Sequence, residues 1–291
     1  MQKFAEKLGS GNFVITSELN PPKGTNLEDL LKKANKLDGI IDAFNITDSH
    51  ASRMAMSPLA PAHILLDHGI EPILQMACRD KNRIALQSDV LSASALGISN
   101  ILCMTGDHPS TGDHPEAKPV FDLEAIALLK AFSSLNHGKD LNGNQITSTP
   151  SLCLGAVVNP GSPDLNKEIK RMEEKIEAGA TFFQTQAIYD LRTLENFMNR
   201  IHMFKIPIIV GFIVLKSAKM ARGFNENLPG VDVPEEIILE MEKSDNPREK
   251  STEIASRIIK DISPICQGIH IMAIGWESQI PSIVESAGIA R

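Results

Sequence analysis

The chain has only four cysteines, Cys78, Cys103, Cys153 and Cys266, and no two of them form a Cys-x-x-Cys pair. Paired spacing is what a zinc site or a disulfide framework needs, so neither is expected, and no other metal site is. Cys78, Cys103 and Cys153 each fall in a strand-like run and read as buried, inert thiols. No apolar run approaches the roughly 20 residues of a membrane span. Met1-Gln2-Lys3-Phe4-Ala5-Glu6-Lys7 has no signal-peptide core, so the expected location is cytoplasmic, with no membrane partner. Basic residues are not gathered into runs, and the formal charge is -7 with a pI of about 5.6. That argues against nucleic acid as a partner and leaves room for a small anionic ligand held by a few local cations.

Familiar phosphate and metal signatures are missing too. No Gly-x-Gly-x-x-Gly opens a helix after the first strand, and there is no Walker loop and no His-Glu-x-x-His. A bound nucleotide is therefore not held by a Rossmann fingerprint. Asp140-Leu141-Asn142-Gly143-Asn144 begins like a calcium loop, but Gln145 occupies the place of the turn glycine and Ser151 that of the bidentate acid. A solvated polar loop is expected there.

What is present is an ordinary globular composition, 42% hydrophobic and 22% charged over 291 residues, enough for one big domain or two small ones. Strand-like runs alternate with amphipathic helical stretches: 13–18, 41–46, 72–78, 100–104, 153–158, 181–186, 206–212 and 268–274. Eight such alternations predict an α/β fold, a single closed (β/α)8 TIM barrel over residues 1–291. Thr25-Asn26-Leu27-Glu28 reads as a capping box for the first helix, with Leu27, Leu30, Leu31, Ala34 and Leu37 as its apolar face. Gly39, Gly69, Gly97 and Gly179 stand where left-handed glycines end helices. Three segments exceed the minimal unit: a loop at 107–121, a loop at 136–149, and a helical insertion at 223–264 between the seventh and eighth strands. The first follows a strand and belongs to the active face; the second precedes one and belongs to the opposite face.

The chemistry is expected at the C-terminal strand ends. Gly106-Asp107-His108-Pro109 follows the fourth strand directly, and the same letters return as Gly112-Asp113-His114-Pro115, read as loop, which leaves open whether His114 and Glu116 lie over a cofactor. Alternation puts Val14, Thr16 and Glu18 on one face of the first strand, with Glu18 at its end before the rigid Leu19-Asn20-Pro21-Pro22. Shielding by that exit raises a carboxyl's pKa, as a general acid near neutral pH requires, although a structural ion pair is an equal reading. Asn45, Thr47, Asp48, Gln75, Arg79, Asp80, Asn159, Gln184 and Gln186 complete a ring of acids and amides suited to a neutral heterocycle. Arg79, Lys81 and Arg83 form the one basic group near the rim, suited either to a pyrophosphate or to a solvated helix start.

Taken in order, Thr16-Ser17-Glu18-Leu19-Asn20-Pro21-Pro22, Thr47, Thr105-Gly106-Asp107, Glu177-Ala178-Gly179-Ala180 and Thr185-Gln186-Ala187-Ile188-Tyr189-Asp190 resemble the methylenetetrahydrofolate reductase family, in its bacterial, single-domain, flavin-dependent form. The resemblance implies FAD at the C-terminal strand ends and ping-pong reduction of 5,10-methylenetetrahydrofolate to 5-methyltetrahydrofolate, a step of one-carbon and methionine metabolism. It implies Glu18 as general acid, Asp107 as the charge beside flavin and pterin, and Gln186 as the contact to folate and nicotinamide in turn. Thr47, Gly106, Asp107 and Lys175 match flavin contacts, and Glu168 and Arg171 match adenosine-side contacts. Gln75, Arg79, Thr105 and Asn159 complete the cofactor set.

The chain departs from some members at Gln75, where they have histidine, and at Thr105, where they have arginine; Arg79 or Arg83 would then replace the lost cation. It also departs after the seventh strand (211–218) and at Gly275-Trp276-Glu277, which bears on the electron donor. The expected partners are a folate and either NAD(P)H or a reduced protein, in a homo-oligomer or a complex with an electron-transfer subunit. A folate-dependent methyltransferase and a non-catalytic folate-binding subunit are the alternative readings.

Overall fold

A computed structural model of the protein describes residues 3–289. Met1, Gln2, Ala290 and Arg291, at the ends of the expected 1–291 domain, lie outside the described residues. The strands are β1 (Val14–Leu19), β2 (Ala43–Ile46), β3 (Pro72–Ala77), β4 (Asn100–Met104), β5 (Cys153–Val158), β6 (Phe182–Ala187), β7 (Ile208–Ile213) and β8 (Gly268–Met272). All pair in parallel, in sequence order, and β1 pairs with β8 to close the barrel. The helices are α1 (Phe4–Gly9), α2 (Glu28–Lys36), α3 (Leu59–Asp67), α4 (Arg83–Ala95), α5 (Ala125–Asn136), α6 (Leu165–Glu177), α7 (Leu191–Ile201), α8 (Ala218–Asn227), α9 (Glu235–Glu242), α10 (Pro247–Ile262) and α11 (Ile280–Ser286). No helix among the described residues is long and apolar enough to cross a membrane.

Every expected strand is present, with ends shifted by no more than two residues. The last strand stops at Met272 rather than Ile274 because Ile274 and Gly275 turn left-handed, at φ +47° and +88°. The barrel interior is layered by strand alternation. At the bottom, Val14, Ala43, Ile73, Leu102, Phe182 and Ile209 form one buried cluster. Gly155 makes room for the Phe182 ring, since a Cβ there would lie 2.2 Å from its Cζ. Helix α1, too short to show a periodic signal in the sequence, closes this end: Phe4 meets Phe182 edge-on, ring centroids 5.4 Å apart. The much larger second cluster packs the outward faces of the strands against the helices.

Gly39, Gly69, Gly97 and Gly179 all have positive φ, as their positions after helices require. The expected capping box is corrected. Helix α2 starts at Glu28, whose N–H is taken at 2.8 Å by Asn26 Oδ1 rather than by Thr25. The insertion is corrected as well, because Gly223 lies inside α8, which begins at Ala218 after the Ser217 hydroxyl accepts the Met220 N–H. Of the three helices between β7 and β8, α10 packs against both α7 and α11, the place of a barrel crossover helix. Helices α8 and α9 are the additions, joined by Arg222 to Glu235 and Glu242.

The loop after α5 is a self-satisfied polar turn. The Asp140 carboxylate accepts the N–H groups of Asn142 and Asn144 at 2.9 and 2.8 Å and the Asn144 side chain at 2.8 Å. The four thiols are unpaired, and burial pushes Cys78 and Cys266 up to about 12 and raises Cys103 and Cys153 as well. All four are protonated and inert near neutrality.

Candidate active site

The C-terminal ends of the strands surround a cleft of about 550 Å³. Glu18, Gln75, Arg79, Thr105, Gly106, Asp107, Asn159, Glu168, Arg171, Lys175 and Gln186 all line it. Thr47, Asn45 and Asp80 do not: Thr47 is buried, and its hydroxyl donates to Asn20 Oδ1 at 2.8 Å, bracing the segment that leaves β1.

Glu18 ends the inward row Val14, Thr16, Glu18, half-buried where the cleft begins. Desolvation raises its pKa; His50 opposes this and Glu277 adds to it. The carboxyl therefore stays protonated to higher pH than an ordinary glutamate. Beneath it lies a polar floor. The Asn45 amide donates to Gln184 Oε1 at 2.7 Å, and Gln184 returns a bond to Asn45 Oδ1 at 3.1 Å. The Thr16 hydroxyl lies 2.9 Å from His270 Nδ1. Burial pushes His270 down to about 4, so its imidazole is neutral at pH 7. The floor thus offers hydrogen bonds but no fixed charge.

On β6, a register shift between Gln184 and Ala187 loosens the pairing with β7 at Thr185 and Gln186. A bulge re-aims side chains at a rim. Here Gln186 Oε1 accepts the Ala187 N–H at 3.0 Å, which leaves its amide NH2 for a ligand. Gly211 is needed opposite, since a Cβ would lie 2.4 Å from the Thr185 carbonyl oxygen.

Lys175 is buried and donates to the Val157 carbonyl at 2.6 Å, with no ion-pair partner among the described residues. Burial lowers its pKa and Glu168 partly restores it. Glu168 Oε1 itself accepts the Asn159 N–H at 3.0 Å. The Asn159 side chain is engaged elsewhere, donating to the Pro229 carbonyl and accepting the Gly161 N–H. Arg171 is half-buried and only 3.8 Å from Glu124. Met104, Val157 and Met272 give the cleft apolar walls, and Val157 is left exposed mid-barrel.

The expected basic group does not converge. Arg79 is 3% exposed and forks onto Asp80 through Nε and Nη2, with further bonds to the Asp48 carbonyl and the Ser52 hydroxyl. Arg83 forks onto Asp122 outside the cleft, and Lys81 pairs with Asp89 at 2.7 Å. Arg83 as a replacement cation for the cofactor is therefore corrected: a nearer carboxylate holds it.

The two Gly-Asp-His-Pro copies part company at Ser52. In the first, Gly106 is left-handed at φ +87°, and a Cβ would come within 3.0 Å of Ala77 Cβ. Asp107 then stands at the rim, its carbonyl accepting the Ser52 hydroxyl at 2.9 Å. In the second, Gly112 presses on the Ser52 carbonyl, where a Cβ would lie 1.8 Å from the oxygen. Asp113 binds Lys23, the Met54 N–H and His114 Nδ1. His114 and Glu116 are exposed and neither lines the cleft. The clamped segment is strained: Ser49, Ala51 and Ser52 have φ of +50°, +52° and +54°. Such outliers concentrate at functional rims.

The family model described as "Methylenetetrahydrofolate reductase" matches residues 3–288. The chain belongs to the methylenetetrahydrofolate reductase family. Among curated members of that family, "Methylenetetrahydrofolate reductase 2" of Schizosaccharomyces pombe is 25% identical over 302 residues, covering 98% of this chain and 47% of its own length. The "5,10-methylenetetrahydrofolate reductase" of Salmonella typhimurium is 23% identical, with 91% of this chain and 84% of its own covered. The probable NADPH reductase of Caenorhabditis elegans is 24% identical, and 34% of it is covered. The chain thus spans about half of the fission-yeast relative and a third of the nematode one. Among solved structures, an uncharacterized Clostridium thermocellum protein that binds two copies of 5-methyl-5,6,7,8-tetrahydrofolic acid shares the fold, at TM-score 0.66 and 18% identity over 98% of both chains.

His50 and His270 are not among the residues expected at the strand ends, yet both line the cleft, as the expected Asp48 does. The signal for His270 was available, since alternation from Gly268 in β8 turns it inward. His50 sits in a left-handed loop that no sequence pattern marks.

Proposed function

We propose that this chain reduces 5,10-methylenetetrahydrofolate to 5-methyltetrahydrofolate on a flavin bound in the cleft. The observation that carries this reading is that Glu18, its pKa raised by burial, lines the same cleft as Asp107 and Gln186. Family membership supports the folate chemistry, and the Clostridium thermocellum neighbour's methyltetrahydrofolate supports a barrel of this shape as a folate site.

The residues present fit a flavin. Gln75 and Thr105 offer hydrogen-bonding edges beside the apolar Met104 and Val157, the mixture that suits a planar heterocycle. Lys175 and Arg171 supply positive charge for a diphosphate, whereas Arg79 would have to release Asp80 to do so. When bound, FAD would supply the hydride, taken from NAD(P)H or a reduced partner protein. Glu18 donates its proton to N10 as the methylene bridge opens to the 5-iminium cation. The Asp107 carboxylate favours that cation. Gln186 orients the pterin through its unengaged amide, and the neutral floor of His270, Gln184 and Asn45 adds no charge to compete with the cation.

An anaerobic titration tests the proposal. The purified protein should be yellow, bleach with a suitable donor and regain colour with methylenetetrahydrofolate; colourless protein that takes up no FAD overturns it. Glu18→Gln should lose about 10²- to 10⁴-fold in the folate half-reaction. The donor half-reaction of the same variant is the control, and loss of both together would make Glu18 structural. The raised Glu18 pKa also sets a sign: folate reduction should fall as pH rises through that pKa, because the acid form is consumed.

A further inference from the structure

Glu18 stands in a wall between two spaces. On one side is the cleft; on the other is a cavity of about 140 Å³ between the exit of β1, helix α2 and the turn after β8. Among the described residues, Glu18 is the one that lines both. The smaller space has room for roughly four waters at about 30 Å³ each. Asn20, Asn26, Asp29, Lys33 and Glu277 give it the polar lining that such waters need.

Glu277 is held in position there. Its Oε1 accepts the Gly275 N–H at 2.9 Å, and its Oε2 lies 3.4 Å from Lys33 Nζ. The Glu277 side chain is 15% exposed and that of Lys33 is 47% exposed, so Lys33 marks the outer mouth and Glu277 the inner part. The left-handed turn at Ile274 and Gly275 brings Glu277 back toward β1.

On the reading given above, each turnover removes one proton from Glu18, and the substrate that takes it lies against that carboxyl in the cleft. A water coming from the cleft side must pass the bound ligand. The side cavity has no such obstruction.

We propose that the side cavity is a proton inlet, in which Glu277, poised by Lys33, returns a proton to Glu18 through water once per turnover. The inference rests on the reading of Glu18 as the acid. Glu18 gives its proton to the leaving nitrogen and becomes a carboxylate. A proton from bulk water enters at Lys33, resides on Glu277, and passes to Glu18, which leaves Glu277 a carboxylate again. No electrons move, and the net change is one proton from solvent to the substrate nitrogen. Glu277 touches no substrate and is a positioning residue. The charged groups that bear on the pair are His50 from the cleft side and Asp29 and Lys33 from α2. Burial raises the proton affinity of Glu18, and the negative charge of Glu277 adds to it.

Glu277→Gln keeps an acceptor for the Gly275 N–H while removing the relay. In the flavin-loaded full chain, its methylenetetrahydrofolate half-reaction should slow about tenfold or more relative to its own donor half-reaction. The solvent deuterium isotope effect should rise, and added formic acid should restore the rate. Lys33→Met, at the mouth, should show the same signature more weakly. In the ligand-free protein, a carbon-13 NMR titration should show the Glu18 pKa falling in Glu277→Gln. An unmoved Glu18 pKa, or variants whose rates and isotope effects match the parent, overturn the inlet. A parent protein that never reduces methylenetetrahydrofolate instead overturns the functional reading, and with it any need for the inlet.

Discussion

Gly106-Asp107-His108-Pro109 and Gly112-Asp113-His114-Pro115 carry the same letters six residues apart and do opposite things. The first leaves β4, so its glycine makes the tight left-handed turn and its aspartate reaches the cleft. The second leaves no strand. Its glycine presses on Ser52, and its aspartate is surrounded by Lys23, the Met54 N–H and His114. Both copies meet Ser52, one at the hydroxyl and one at the carbonyl. A motif's chemistry is thus decided by the element that precedes it. An aspartate with open sides is available to a ligand; one with every oxygen engaged is a fastener.

Three substitutions test that division, in falling order of effect. Asp107→Asn removes the charge at the rim and should weaken folate binding by roughly tenfold to a hundredfold, the worth of a hydrogen bond to a charged group. It should also move the flavin potential upward, and an unchanged potential would place Asp107 away from the redox centre. Gly112→Ala forces the loop off Ser52 and should destabilise the fold by about 1–3 kcal/mol in urea unfolding. If it also removed as much activity as Asp107→Asn, the second copy would be more than a fastener.

Asp113→Asn should do least, lowering the melting temperature slightly at low salt and less at high salt, since the contact is exposed and screened. Here the pH dependence has a definite sign. The Lys23 bond, with the Met54 N–H and His114, holds the Asp113 carboxyl below the ordinary carboxylate range. Its stabilisation is complete above the unfolded value near 4 and is lost as pH falls through the folded one. Melting temperatures of parent and variant should therefore converge in acid.

Much of the barrel was readable because each parallel strand, buried on both faces, is a short apolar run ended by a turn, and the helices between carry terminal glycines. Alternation along β1 sufficed to turn Glu18 inward. What could not be read depends on partners brought together by loop closure. Arg83 finds Asp122 at 39 residues' separation and Asp113 finds Lys23 at 90, and nothing local to either residue marks the choice. Helix α1 escaped because six residues give too little periodicity, and Gly223 misled because an exposed helix tolerates one glycine. Nor does sequence position show that the Thr47 hydroxyl holds Asn20.

The reciprocal amides of Asn45 and Gln184 tie β2 to β6, strands four places apart in a ring of eight and so diametrically opposed. They act as a tie-rod across the lumen. The loop bearing His50 continues from one end of it, and the bulge bearing Gln186 continues from the other. Two walls of the cleft that the ladder connects only by travelling half the circumference are thereby fixed to each other directly, so their spacing is set by two hydrogen bonds rather than by the accumulated twist of four strand pairs.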